Sequence, residues 1–262
     1  MQGLLNLAVF AAIKDPVSES PHPKLAKIAS DFSQTFIESD RWQQFLKGLG
    51  VTLEVAFLAL ILGLVIGVVI AIIRTIHDQR RGKQKGFGNV ILNIANAICQ
   101  VYLTVIRGTP MMVQLLIMYF VIFASSSNQV LVAILAFGIN SGAYVAEIVR
   151  SGIMSVEAGQ MEAGRSLGFN YVKTMRYIII PQALKNALPA LGNEMITLLK
   201  DTSLVTVIGL KDLTKTAMIV QSRTYQAFMP FIGIAIVYLV IVLILSKILS
   251  VVERRLRTGD KR

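Results

Sequence analysis

The sequence predicts an all-α polytopic membrane protein with five transmembrane helices, an extracytoplasmic N-terminus and a cytoplasmic C-terminus. Of its 262 residues, 54% are hydrophobic and only 16% are charged, and the mean hydropathy is +0.64. Such a chain has too few charges to cover a soluble surface. Its apolar stretches recur at about the 20 residues that a helix needs to cross a hydrocarbon layer of ~30 Å.

The net charge of +11 reflects membrane orientation. Residues 14–47 carry five basic and five acidic side chains, which cancel. Basic residues instead follow the first apolar stretch (Arg74, Arg80, Arg81, Lys83 and Lys85) and the last one (Lys247, Arg254, Arg255, Arg257, Lys261 and Arg262). The positive-inside rule places both clusters in the cytoplasm. We therefore expect the lipid bilayer as a partner and no nucleic acid.

Three regions follow from these patterns. Residues 1–45 form an interfacial or extracytoplasmic N-terminal segment, 46–256 the transmembrane domain, and 257–262 a basic cytoplasmic tail. Within the first region, apolar residues at helical spacing precede Trp42 (Leu25, Ile28, Ala29, Phe32 and Phe36). This stripe is typical of an amphipathic helix on the outer face with a tryptophan anchor, and a partly ordered tail is the alternative.

The predicted spans are 49–73, 107–124, 129–152, 184–207 and 228–252. Residues 89–106 carry a polar face, and Pro110 then interrupts the helix because it has no amide to bond to the carbonyl of Ile106. We expect 89–106 to be an amphipathic helix at the inner face or beside the pore. A separate crossing there would put the basic cluster after the first span and the basic tail on opposite sides of the membrane. Gly63 and Gly67 in the first span predict close helix packing.

Polar and charged side chains inside the spans are candidates for a translocation path, since burying them in lipid is costly. Asn140, Tyr144 and Glu147 share one helix face, and on the fourth span Asn193, Thr197 and Lys200 share another. The predicted path comprises Asn140, Tyr144, Glu147, Asn193, Glu194, Thr197, Lys200 and Arg107. The alternative for Glu147 is a local ion pair with Arg150, and such polar groups can also serve helix packing.

The loop at 153–183 contains a motif with defined spacing. Glu162-Ala163-Gly164 is followed by Gly168, then by Ile178 and Pro181. This pattern resembles the EAA loop of bacterial ABC importer permeases, which reads Glu-Ala-Ala, three residues, Gly, nine residues, Ile, one residue, Leu-Pro. Gly164 replaces the second Ala and Ile180 replaces the Leu. The flanking segments at 159–160, 181–183 and 200–204 are similar to the polar amino acid permease family.

This resemblance implies partners, cofactor and location. The loop would be a coupling helix that docks on an ATPase subunit through Glu162, Ala163, Gly164, Leu167, Gly168 and Phe169. The chain would pair with an identical or similar permease in the bacterial cytoplasmic membrane and receive polar amino acids from an extracytoplasmic binding protein. No Gly-x4-Gly-Lys-Ser/Thr loop is present, so ATP and Mg²⁺ would bind to the partner ATPase and this chain would bind no cofactor.

Other classes of function have less support. A secondary transporter or channel for small polar solutes is the alternative, but the sequence shows no internal repeat. A membrane enzyme would need a catalytic motif such as Gly-x-Ser-x-Gly or His-Glu-x-x-His, and neither occurs. With one cysteine, Cys99, and two histidines far apart in the chain, we expect no metal site.

Overall fold

A computed structural model describes residues 23–80 and 87–258 of the chain, and these residues are mostly helical. Predictions for 1–22, 81–86 and 259–262, including the basic cluster around Lys83, lie outside the described residues. The helices are α1 (Pro23–Phe32), α2 (Arg41–Arg80), α3 (Phe87–Gly108), α4 (Met111–Ile117), α5 (Gln129–Met154), α6 (Ala158–Ser166), α7 (Tyr171–Thr174), α8 (Ile180–Asp201), α9 (Leu213–Thr224) and α10 (Phe228–Thr258). Short π or 3₁₀ segments extend α1, α4, α7 and α8.

Four stretches in the described part of the chain are long and apolar enough to cross a membrane. They are Ala26–Gln79, Gly88–Gly108, Gln129–Met154 and Phe228–Leu256, while Met111–Ile122 is a shorter apolar helix. The predicted count of five spans is therefore not confirmed. Helix α3, expected at the inner face or beside the pore, is apolar outside its polar stripe. Helix α8 is less apolar than these stretches because lysine, asparagine and glutamate are spread along it.

Helices α2 and α5 pack along a seam of small residues, as Gly63 and Gly67 predict. A Cβ on Gly63 would lie 3.0 Å from Ser141 Cβ, and one on Gly67 would lie 2.5 Å from Val145 Cγ1. A step of four residues along α2, from Gly63 to Gly67, corresponds to a step of four residues in the same direction along α5, from Ser141 to Val145. The two helices therefore run parallel. Because α6 follows α5, the C-terminal end of α2 lies at the end of the bundle that carries the 153–183 loop.

The helix break predicted at Pro110 is confirmed, with α3 ending at Gly108 and α4 beginning at Met111. Pro110 itself has an extended backbone, with φ −65° and ψ 136°. The Gln114 amide nitrogen donates to the carbonyl oxygens of Ile106 (2.7 Å) and Thr109 (3.1 Å). Irregular backbone is tolerated at membrane depth only where such polar groups find partners, so Gln114 stabilises the break.

At the end of the bundle opposite the 153–183 loop, α9 packs against the start of α2. Asp212 precedes α9, is fully buried and accepts a 2.7 Å hydrogen bond from the Lys215 amide through Oδ1. The Leu213 amide donates to Thr52 Oγ1 over 3.2 Å. Gly48 allows this approach, because a Cβ there would lie 2.7 Å from the Asp212 carbonyl oxygen. These contacts fasten α9 to α2.

Candidate translocation pocket and coupling loop

A pocket of about 200 Å³ lies where the break between α3 and α4 meets α5 and α8. It is lined by Thr109, Met111, Asn140, Tyr144, Glu194, Thr197, Leu198 and Asp201. The sequence predicted Asn140, Tyr144, Glu194 and Thr197 as path residues. The structure brings these four together from helices that are about 50 residues apart in the sequence.

Hydrogen bonds fix the polar side chains of the pocket. Ser141 Oγ donates to Glu194 Oε1 over 2.8 Å, which joins α5 to α8. The Asn140 amide nitrogen donates to Gln114 Oε1 over 2.9 Å, which joins α5 to α4. Ser141 and Gln114 were not predicted as site residues. Its position in the sequence could have indicated Gln114, which lies one helical turn after Pro110. The helix break at Pro110 leaves backbone carbonyl oxygens without amide donors, and a glutamine nearby can supply one.

Two acidic residues contribute carboxyl side chains to the lining of the pocket. Glu194 and Asp201 both line it, and among the described lining residues there is no basic side chain. Glu194 is held by a neutral donor, Ser141, rather than by a cation. Carboxylates in such an environment favour a cationic group as their partner, because a charge-assisted hydrogen bond is roughly twice as strong as a neutral one. The pocket is therefore suited to an ammonium or a guanidinium.

Glu147 and Arg107 lie beside this pocket in an ion cluster. Glu147 carboxylate oxygens lie 3.4 Å from Arg74, 3.7 Å from Arg107 and 3.7 Å from Arg150. Arg150 also pairs with Asp78 over 2.9 Å. The sequence predicts an ion pair of Glu147 with Arg150 as the alternative to a role in the translocation path. It does not predict the contact of Glu147 with Arg74.

The ion cluster borders a second, wider cavity of about 480 Å³, lined by Arg74, Gln100, Leu103, Thr104, Arg107, Gly108 and Glu147. Arg107 connects the two spaces, since its guanidinium carbon lies 5.6 Å from the ring centre of Tyr144. The structure thus places Arg107 next to the pocket but not in its lining. Asn193 and Lys200 are exposed on α8 and do not border the pocket, although both lie on the same helix face as Thr197.

The loop at 153–183 is a compact helix, turn and helix. Gly164 in α6 is buried, and a Cβ there would lie 2.5 Å from Thr174 Cγ2. A larger residue would force α6 or the Thr174 side chain to shift, so Gly164 allows the close approach of α6 to α7. Gly168 follows α6 with a positive φ of 80°, which glycine adopts without strain. The Phe169 amide then donates to the Gly164 carbonyl over 3.1 Å and closes the end of the helix.

Apolar side chains are exposed at the tip of this loop. Leu167 is 73% exposed and Val172 is 68% exposed, and Phe169 and Tyr171 are also exposed. Glu162 and Ala163 lie on the exposed surface of α6. A rigid turn that carries apolar side chains at its tip is suited to docking in a groove of another protein.

Residues 87–258 match the family described as "Binding-protein-dependent transport system inner membrane component". The chain belongs to this family. It is therefore a permease subunit of an inner membrane transport system, and the resemblance to ABC importer permeases that rests on Glu162 to Pro181 is confirmed.

Individual relatives of the chain are also transport system permease proteins. The chain is 40% identical over 186 residues to the arginine transport system permease protein ArtQ of Bacillus subtilis (strain 168), covering 65% of this chain and 85% of the relative. It is 40% identical over 168 residues to the glutamine transport system permease protein GlnP of Escherichia coli (strain K12), covering 63% of this chain and 77% of the relative.

Two solved structures share the fold. A crystal structure of an amino acid ABC transporter with histidines is 44% identical, with a TM-score of 0.72 over 81% of this chain and 94% of that chain. An inward-facing structure of the MetNI methionine ABC transporter is 18% identical, with a TM-score of 0.68 over 84% of this chain and 99% of that chain. The helices described above thus form the fold of an ABC permease subunit.

Proposed function

We propose that this permease forms the membrane path of an ATP-driven importer for polar amino acids, and that the pocket between α4, α5 and α8 binds the transported molecule. The observation that carries the proposal is the lining of the pocket, where two carboxylates face Asn140 and Tyr144 beside a helix break. Broken helices beside a polar cavity are a common way for transporters to build a substrate site at membrane depth.

The pocket offers a partner to each polar part of an amino acid. Glu194 and Asp201 would bind the α-ammonium or a cationic side chain, and Asn140 and Thr109 can hydrogen-bond to neutral polar groups. Arg107 or Lys200 would attract the carboxylate; the Arg107 guanidinium carbon lies 5.6 Å from the ring centre of Tyr144, which lines the pocket. The arginine and glutamine named for the relatives, and the histidines named for the solved transporter, are polar amino acids.

The loop at 153–183 would transmit the motion of the ATPase. In this proposal Leu167 and Phe169 dock in the ATPase subunit and Glu162 pairs across the contact. The small residues Ala163, Gly164 and Gly168 permit close approach. ATP and Mg²⁺ would bind to that partner. Two permease subunits, with five spans each and the N-terminus outside, would rock between inward- and outward-facing states.

The test is ATP hydrolysis by the complete complex in liposomes, reconstituted from this permease, its ATPase and its binding protein. Each common amino acid is added in turn, and Glu162→Lys is the coupling control. Hydrolysis that one or a few polar amino acids stimulate, and that the control abolishes, is the expected result. Hydrolysis indifferent to every amino acid would overturn the proposal. Membership of a binding-protein-dependent family favours this importer over a channel or a secondary transporter.

A further inference from the structure

Helix α1 and its π extension are held to the protein by polar side chains, while large apolar side chains of α1 are exposed. Asp31 Oδ1 and Gln34 Oε1 both accept hydrogen bonds from the Gln226 amide nitrogen, over 2.8 Å and 2.9 Å. Ile28 is 53% exposed and Phe32 is 50% exposed. Such exposure is unfavourable for a helix surrounded by water, which keeps its large apolar side chains against the protein.

The exposed apolar side of α1 continues onto α2. Three further large side chains are exposed next to it along the chain, and we define the N-terminal apolar patch as Ile28, Phe32, Ile37, Trp42 and Leu46. On α2, Trp42 and Leu46 are one turn apart. Leu53, Phe57 and Ile61 follow on the same helix face and are also exposed. The patch is thus continuous with an apolar face of a helix that crosses the membrane.

The length of α2 places the patch at the edge of the bilayer. Its 40 residues extend about 60 Å, whereas the hydrocarbon layer is ~30 Å thick. The N-terminal turns of α2 therefore emerge into the region of the lipid headgroups. Tryptophan is enriched at this depth. Lys24, Lys27 and Lys47 are exposed around the patch, and their ammonium groups can reach headgroup phosphates.

We propose that the N-terminal apolar patch inserts into the lipid leaflet at the end of the bundle opposite the 153–183 loop, with Trp42 at the boundary between headgroups and acyl chains. The occupant of this surface is the bilayer itself, since the patch continues along the chain into the exposed apolar face of α2, a helix long and apolar enough to cross the membrane. The patch is an anchor that lies in the plane of the membrane.

This anchor also holds the junction between α9 and α10. Gln226 lies between these helices and is bonded to Asp31 and Gln34. The Phe36 ring packs directly against Gly233 in α10, where any Cβ would collide with it. Lipid binding by α1 thereby fixes the end of α10 relative to the membrane surface.

Trp42 is the only tryptophan of the chain, so its fluorescence reports on the patch without any substitution. The full chain is placed in nanodiscs made with ordinary or brominated phospholipids, and aqueous iodide is added in a separate series. We expect a blue-shifted emission that brominated lipid quenches strongly and iodide quenches weakly. A second variant, Trp42→Phe with Ile28→Trp, moves the probe onto α1 and is expected to give the same pattern.

The matched control is Trp42→Phe with Leu167→Trp, which places the probe at the tip of the 153–183 loop, and there iodide and not lipid should quench. Two results for Trp42 and the Ile28→Trp probe would overturn the proposal. Quenching by iodide alone would place the patch in water. Protection from both quenchers would mean that protein, such as a second copy of the chain, covers it.

Discussion

Ser141 Oγ donates a 2.8 Å hydrogen bond to Glu194 Oε1 and joins α5 to α8 beside the candidate pocket. The donor is a small neutral side chain, and it leaves the second carboxylate oxygen of Glu194 available to another partner. Ser141 also packs against Gly63 in α2. The acid is thus held by a part of α5 that packs closely against α2.

We expect Glu194→Gln to weaken the response to amino acids by about 10- to 100-fold, since a hydrogen bond to a charged group contributes roughly 1.5–3 kcal/mol. The amide keeps the shape of the side chain and still accepts from Ser141, so folding should be preserved. The measurement is the concentration of amino acid that gives half-maximal uptake. Glu54→Gln, an exposed acid on α2, is the control, and equal responses in the two variants would exclude a role for Glu194.

Leu167→Asp should reduce binding of the ATPase subunit by more than about 10-fold, because apolar anchors at a docking site commonly contribute 2 kcal/mol or more. Leu167 is 73% exposed, so the fold should tolerate the change. Affinity is measured between the purified permease and its ATPase, with Leu167→Met as the control. Undiminished binding by Leu167→Asp would place the docking surface elsewhere.

Gly168→Ala should impair coupling, because an L-residue at a φ of 80° is strained by roughly 1 kcal/mol or more. Asparagine tolerates this conformation better than alanine. Gly168→Asn is therefore expected to restore most of the amino acid-stimulated hydrolysis that Gly168→Ala loses. If both variants lose the same activity, the loss comes from the added side chain and not from backbone strain, which would contradict the prediction.

Gly67→Ala should lower the stability of the bundle by about 1–3 kcal/mol through overpacking, since the new Cβ would lie 2.5 Å from Val145 Cγ1. Gly50→Ala in the same helix is the matched control, because nothing lies within 4 Å of its Cβ position. That change should leave stability equal or raise it by up to about 1 kcal/mol. Thermal unfolding in detergent measures both, and a Tm of Gly67→Ala at or above that of Gly50→Ala would contradict close packing.

Asp212 should make stability depend on pH. Burial raises the pKa of its carboxyl above the ordinary value, although hydrogen bonds from the Lys215 and Thr214 amides and from the Thr214 side chain oppose this. The folded state then holds the proton more tightly than the unfolded state does. Stability is therefore expected to fall as pH rises from the ordinary carboxyl range, about 3.9, to the raised pKa.

Asp212→Asn should flatten this pH profile while its side-chain oxygen still caps α9. The Tm is recorded across a pH series for the wild type and the variant, with Glu38→Gln, an exposed acid, as the control for net charge. A wild-type profile that the Asp212 variant reproduces in full would show that another group is responsible.

The sequence predicted those structural features that depend on residues close together in the chain. Pro110 predicted the helix break, and Gly63 and Gly67 predicted the close helix pair, because each effect depends on one side chain and its own helix. Glu147 was harder, since its partner Arg74 lies 73 residues away, and no sequence spacing reveals such a contact. The predicted count of five spans is not confirmed because α8 carries lysine, asparagine and glutamate side chains along its length, and these lower the hydropathy by which a span is recognised.

Gln114 gives the pocket a mechanical role. Its amide nitrogen stabilises the break between α3 and α4, while its oxygen accepts from the Asn140 side chain in the pocket. If the pocket binds the transported molecule as proposed, a ligand that draws Asn140 away would leave Gln114 free to reorient and would change the free energy of bending at Pro110. By thermodynamic linkage, bending would then change the affinity for that ligand by the same factor. In the proposed importer, one glutamine side chain would make occupancy of the pocket and the angle of the helix a single coupled equilibrium.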